Sequence, residues 1–142
     1  MLNSEQQLVK TLKDSGYSST TTRRAIFAAL TRVESLTMPE LVKSIGNSVD
    51  RASIYRTIDL FERLGIVQRV QIGWKYRLEL SDTFSPHHHH IHCLSCGKIT
   101  SLKEEAAIEQ HIHHLAAANG FKLTAHQLEL SGTCQNCQQK QK

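Results

Sequence analysis

The first 80 residues of this chain hold no histidine and no cysteine, whereas residues 87–142 hold all nine histidines and all four cysteines. A partition this sharp predicts two parts with different chemistry. At 142 residues the chain has room for one domain or two small ones. The stretch "SDTFSP", Ser81 to Pro86, separates the parts and reads as a hinge. The expected division is a domain over residues 1–82 and a second over residues 83–142. No apolar run approaches the roughly 18–20 residues of a membrane span. The N-terminal "MLNSEQQLVK" lacks the basic-then-apolar pattern of a signal peptide, so a cytoplasmic protein is expected. A net charge of +4 and a pI near 9.0 fit an anionic partner such as nucleic acid.

The first part reads as helices followed by a hairpin. Leu8, Val9 and Leu12 form one apolar stripe, and Ile26, Ala29, Leu30 and Val33 form another. Thr37, Pro39 and Glu40 make a capping box with proline in the first turn, ahead of Leu41, Val42 and Ile45. Asp50 caps "RASIYRTIDLFERLG", which Gly65 ends. The alternating "IVQRVQI" and "WKYRLEL" join near Gly73 as a β-hairpin with Trp74 at its tip. This order predicts a winged helix-turn-helix. In its last helix Ile54, Thr57, Ile58, Phe61 and Leu64 share one face, while Ala52, Tyr55, Arg56, Asp59 and Arg63 share the other. Arg51, Ala52, Tyr55 and Arg56 are the candidate contacts to a DNA groove and its phosphates. A solvated polar face is the competing reading of the same helix.

The second part opens with "SPHHHHIHCLSCGKI", Ser85 to Ile99. Successive side chains of a strand point to opposite faces. His87 and His89 therefore face one way, and His88 and His90 the other. Neither pair completes a metal site alone. Glu109 lies on the helical "EEAAIEQHIHHLAAANG", beside an expected buried stripe of Ile108, Ile112 and Leu115. His126 lies on the strand-like "KLTAHQLEL", in phase with Leu128 and Leu130. With His87 and His89 these two supply three nitrogens and one oxygen. On the opposite face, Glu79 is the carboxylate expected near His88 and His90. Two Cys-x-x-Cys pairs, Cys93/Cys96 and Cys134/Cys137, suit a tetrahedral structural Zn²⁺. Such a site ties the C-terminal tail to the strand.

Taken together, "RASIYRTIDLFERLGIV", "YRLEL", "HHHHIHCLSCGKI" and "GFKLTAHQLELSGTCQNC" resemble the ferric uptake regulator family of metal-responsive transcription factors, in order over nearly the whole chain. The resemblance implies an α+β homodimer, with an N-terminal winged helix followed by a small α/β dimerisation domain carrying metal sites. By position it implies structural zinc at Cys93, Cys96, Cys134 and Cys137. It implies a sensing site at Glu79, His88 and His90, and a further site at His87, His89, Glu109 and His126. It gives Tyr55 and Arg56 the roles of the family's recognition-helix tyrosine and arginine. Ser35 stands where many members have a sensing histidine, Ser101 where several have a carboxylate, and Ser18 where many have a lysine for the minor groove. Zinc-sensing members often have a cysteine at the place of Glu79 and an aspartate near Gln68. Glu34, His92 or water remain for the fourth sensing ligand. The expected protein is not an enzyme. It is a repressor that closes on pseudo-palindromic operator DNA when Fe²⁺, Zn²⁺ or Mn²⁺ binds. A metal-buffering or interaction module without specific DNA recognition is one rival reading. A metallohydrolase is another, although the chain has no HExxH motif.

Overall fold

The computed structural model describes residues 1–140. They form two compact units, one over Met1–Ser85 and one from Pro86 onward. In the first, four helices precede a hairpin: α1 (Ser4–Asp14), α2 (Thr21–Thr31), α3 (Met38–Ile45) and α4 (Arg51–Arg63), then β1 (Val67–Ile72) and β2 (Lys75–Leu80). Side-chain caps start each helix. Asn3 and Gln6 form a capping box on α1, and Thr37 and Glu40 form one on α3. Thr20 and Asp50 cap α2 and α4. β1 and β2 pair antiparallel from Val67↔Leu80 to Ile72↔Lys75. The two residues between them turn on Gly73, whose φ of 63° suits the first position of a hairpin turn. Leu36 exchanges both backbone hydrogen bonds with Leu78, which adds a bridge to the edge of the hairpin.

One apolar core runs through this unit. Leu8, Leu12, Ile26, Phe27, Leu30, Leu41, Ile54, Ile58, Phe61, Ile66 and Leu78 are all buried in it. Phe84 stacks edge-on against Phe27 at 5.4 Å, so the chain just past the hairpin also belongs to this core. Val9 and Val33 were expected among the core residues, and both are exposed. α2 ends at Thr31, so the helical phase that would have carried Val33 inward stops before it.

The second unit has a three-stranded sheet of order β4-β3-β5. β3 (His88–Cys93) is central, β4 (Ile99–Lys103) pairs with it antiparallel, and β5 (Glu129–Gly132) pairs with it parallel. α5 (Ala106–Ala118) and α6 (Gln135–Lys140) complete the unit. The expected strand over residues 122–130 forms only from Glu129 onward. The register His90↔Glu129 sets residues 122–126 opposite 83–87, which precede β3, so they have no ladder to join. The apolar stripe of α5 also departs from expectation. Ile108 and Leu115 are exposed, Ile112 is half-buried, and Glu109 is the buried residue of that helix. Among the described residues, the unit's buried side chains are Cys93, Cys137, His89, His90 and Glu109. Among the described residues its interior consists of thiol, imidazole and carboxylate groups rather than of large apolar side chains.

Candidate metal clusters and nucleic-acid interface

The knuckle after β3 and the N-terminal end of α6 bring the four cysteines together, with their sulfurs within 4.8 Å of one another. Gly97, at φ 79°, turns the chain so that its N–H donates to the Cys93 carbonyl at 2.9 Å. Cys96 Sγ and Cys134 Sγ lie 3.8 Å apart. Four thiolates about 2.3 Å from a tetrahedral Zn²⁺ have sulfur–sulfur edges of about 3.8 Å, so the donor set fits the ion. The local field also favours a cation. Backbone N–H groups of Cys134 and Cys96 donate to Cys93 Sγ and hold its thiol at about 5. Beside it, the hydrogen bond with Cys134 and then burial push Cys137 up to about 12. One sulfur is readily a thiolate and its neighbour resists a second negative charge. A divalent ion relieves that repulsion and permits all four to ionise.

A second cluster lies on one face of β3. His87 Nε2 approaches His126 Nε2 at 3.0 Å, and His89 Nε2 meets Glu109 Oε1 at 2.5 Å. Glu109 Oε2 lies 2.8 Å from His126 Nε2, and Glu109 Oε1 lies 3.3 Å from His87 Nε2. Three imidazoles thus aim their Nε2 atoms at one buried carboxylate. Burial pushes the Glu109 carboxyl up, but the His89 hydrogen bond and the charges of His126, His87 and His89 outweigh it and hold it below the usual range. Two ring nitrogens at 3.0 Å and a carboxylate among them form a pre-gathered donor set for a cation. His126 reaches it from outside any strand, because the β3–β5 register continued backward places it beside His87.

On the other face of β3, the rings of His88 and His90 lie 4.8 Å apart. His88 Nδ1 sits 3.0 Å from the Pro86 carbonyl, and His90 Nδ1 sits 3.1 Å from Glu129 Oε1. In the first unit, Glu79 on β2 accepts a 2.7 Å hydrogen bond from Gln68 Nε2, its cross-strand neighbour. Ser35 accepts from Arg77 Nε at 2.8 Å. Arg77 also reaches Glu40 at 3.3 Å, so one arginine engages both Ser35 and Glu40.

α4 buries Ile54, Thr57, Ile58 and Phe61 and exposes Arg51, Ala52, Tyr55 and Arg56, as its periodicity predicts. Asp50 fixes the start of the helix by accepting from the Ser53 N–H and hydroxyl. Those hydrogen bonds lower the Asp50 pKa. Two features escaped the sequence reading. Arg23 on α2 lines a shallow concavity with Tyr17, Thr20, Arg56 and Arg63, and so extends the cationic face of α4. Glu129 faces His90, which alternation along "LEL" places on the face opposite Leu128 and Leu130; that phase was available in the sequence.

A winged helix joined to a unit that gathers thiols, imidazoles and carboxylates is the make-up of a metal-responsive transcriptional regulator. Residues 14–131 match the Ferric uptake regulator family, and the chain belongs to that family. The ferric uptake regulation protein of Yersinia pestis is 34% identical over 138 residues, covering 92% of this chain and 91% of the relative. The Vibrio cholerae ferric uptake regulator has a similar structure, with a TM-score of 0.71 at 32% identity over 88% of this chain and 98% of that one. So does the Pseudomonas aeruginosa ferric uptake regulator with manganese, with a TM-score of 0.76 at 26% identity over 89% and 96%.

Proposed function

We propose that this regulator is a cytoplasmic, homodimeric repressor whose affinity for operator DNA is set by a divalent metal. The observation that carries this reading is the central strand β3, whose histidines project from both faces directly after a winged-helix unit. Cys93, Cys96, Cys134 and Cys137 hold structural zinc. His87, His89, Glu109 and His126 form a metal site within the dimerisation unit. His88 and His90, with Glu79 from the winged helix, form the regulatory site for Fe²⁺, Zn²⁺ or Mn²⁺. A bound ion supplies charge compensation and fixed ligand angles at these residues. A divalent ion that binds these residues more tightly in the DNA-binding conformation shifts the protein toward that conformation.

Exposed apolar residues of the second unit support the dimer. Ile108, Leu115, Phe121 and Leu130 present surface that a second copy would cover. In a dimer, two copies of α4 present Tyr55 and Arg56 to successive major-groove half-sites. The test is selection of duplexes from a random pool by this chain, with and without added Fe²⁺, Zn²⁺ or Mn²⁺. The proposal predicts enrichment of a two-fold-related sequence only with the metal. Equal enrichment in both arms, or none in either, would contradict it.

A further inference from the structure

Glu129 lies on β5 in direct register with His90, on the same face of the sheet. Its Oε1 is 3.1 Å from His90 Nδ1 and accepts from Gln127 Nε2 at 3.2 Å. Its Oε2 is buried without a hydrogen-bond partner among the described residues. A buried carboxylate oxygen left unpaired is costly, so its retention beside an imidazole calls for a role. The other ligand candidates share a pattern. His88 Nδ1 is engaged by the Pro86 carbonyl, and Glu79 Oε1 by Gln68. Both histidines therefore have Nδ1 turned to an oxygen, which favours the Nδ1–H tautomer, whose acceptor nitrogen is Nε2. His90 differs in that its oxygen belongs to a carboxylate.

We propose that Glu129 is a positioning residue for the regulatory metal. It fixes the His90 ring and its Nδ1–H tautomer and, through its negative charge, makes Nε2 a stronger donor. A carboxylate behind a metal-binding histidine typically changes affinity by about 10–100-fold. The proposal rests on His90 being a regulatory ligand. It assigns Glu129 no direct bond to the metal, since the carboxylate meets the ring at Nδ1, away from Nε2. On the other side of His90 in the same row, β4 carries Ser101. The sheet thus supplies its carboxylate to His90 from β5 rather than from β4.

The experiment compares full-length, zinc-retaining wild type with Glu129→Ala, Glu129→Gln and His90→Ala. Two readouts are taken: ¹⁵N NMR of the His90 ring in metal-depleted protein, and Mn²⁺ affinity by chelator competition. In wild type the His90 ring is expected as the Nδ1–H tautomer. Glu129→Ala should mix the tautomers and weaken one class of Mn²⁺ sites about 10–100-fold, leaving the other class unchanged. Glu129→Gln keeps an acceptor oxygen without the charge. It should preserve the tautomer and lose less affinity. His90→Ala should remove that class altogether. If His90→Ala removes the class while both Glu129 variants match wild type in tautomer and affinity, Glu129 has no positioning role and the regulatory site stands. If His90→Ala leaves every Mn²⁺ class intact, both the site and the role of Glu129 are wrong.

Discussion

At the scale of single residues, the second unit concentrates charge where most small folds place apolar atoms. Glu109 is the sharpest case, because three imidazoles surround a carboxyl that burial alone would push up. A folded-state pKa held below the ordinary value contributes stability above the unfolded pKa and loses it as pH falls through the folded one. Protein that keeps its cysteine-bound zinc but carries no ion at Glu109 should therefore lose amide protection around α5 as the pH drops below about 4.5, the ordinary glutamate value. Glu109→Gln should remove that dependence; hydrogen exchange at stepped pH would detect it. The same substitution should lower metal stoichiometry by one ion per chain while leaving the cysteine site loaded. Unchanged stoichiometry would remove Glu109 from the ligand set.

Local sequence rules and tertiary needs coincide in the secondary-structure elements of the first unit and part company in the second. The capping box at Thr37 and Glu40, the Asp50 cap and the inward face of α4 follow from side-chain spacing, and the structure has all of them. Thr37→Ala removes a cap oxygen from α3 and should cost about 1 kcal/mol. Phe61→Ala opens the centre of the first core and should cost about 3–5 kcal/mol. Thermal or urea unfolding would separate the two. On the exposed face of α4, Arg56→Ala should weaken operator binding by about 1–3 kcal/mol without changing stability. Equal loss for specific and random duplexes would make Arg56 a phosphate contact rather than a base contact.

Strand alternation also separates the two faces of the histidine run, and Cys-x-x-Cys spacing marks the sulfur cluster. What spacing could not settle was the burial of α5 and the length of the last strand. Ile108 and Leu115 have the periodicity of a buried stripe, yet both are exposed among the described residues. Periodicity tells that a face is apolar, not which molecule it meets. The reach of β5 depends on where β3 begins, a long-range pairing absent from its own residues.

On the scale of the whole molecule, the two units should respond differently to loss of metal. The first has its own apolar core, whereas the second has cysteine, histidine and glutamate side chains at its centre. Stripping zinc from the cysteine cluster should unfold the second unit and leave the helices of the first intact, so that calorimetry of the stripped protein shows only the transition of the first unit. Loss of both units together would make the metal clusters essential to the entire fold. Leu115→Glu should place a charge on the exposed stripe of α5, shift sedimentation toward the monomer and weaken operator binding, because one winged helix reads one half-site. A variant that stays dimeric would move the interface elsewhere.

The central claim is that metal sets DNA affinity through His88 and His90. It is tested most directly by fluorescence anisotropy on one selected operator duplex at fixed salt. Protein depleted of regulatory metal but retaining its cysteine-bound zinc would be titrated in parallel with Fe²⁺, Mn²⁺, Zn²⁺ and Ni²⁺. At least one of these ions should tighten binding by an order of magnitude or more in wild type and leave the His88→Ala/His90→Ala double variant at the metal-depleted affinity. Wild-type affinity that stays flat across all four titrations, or a double variant that responds as wild type does, would contradict the account.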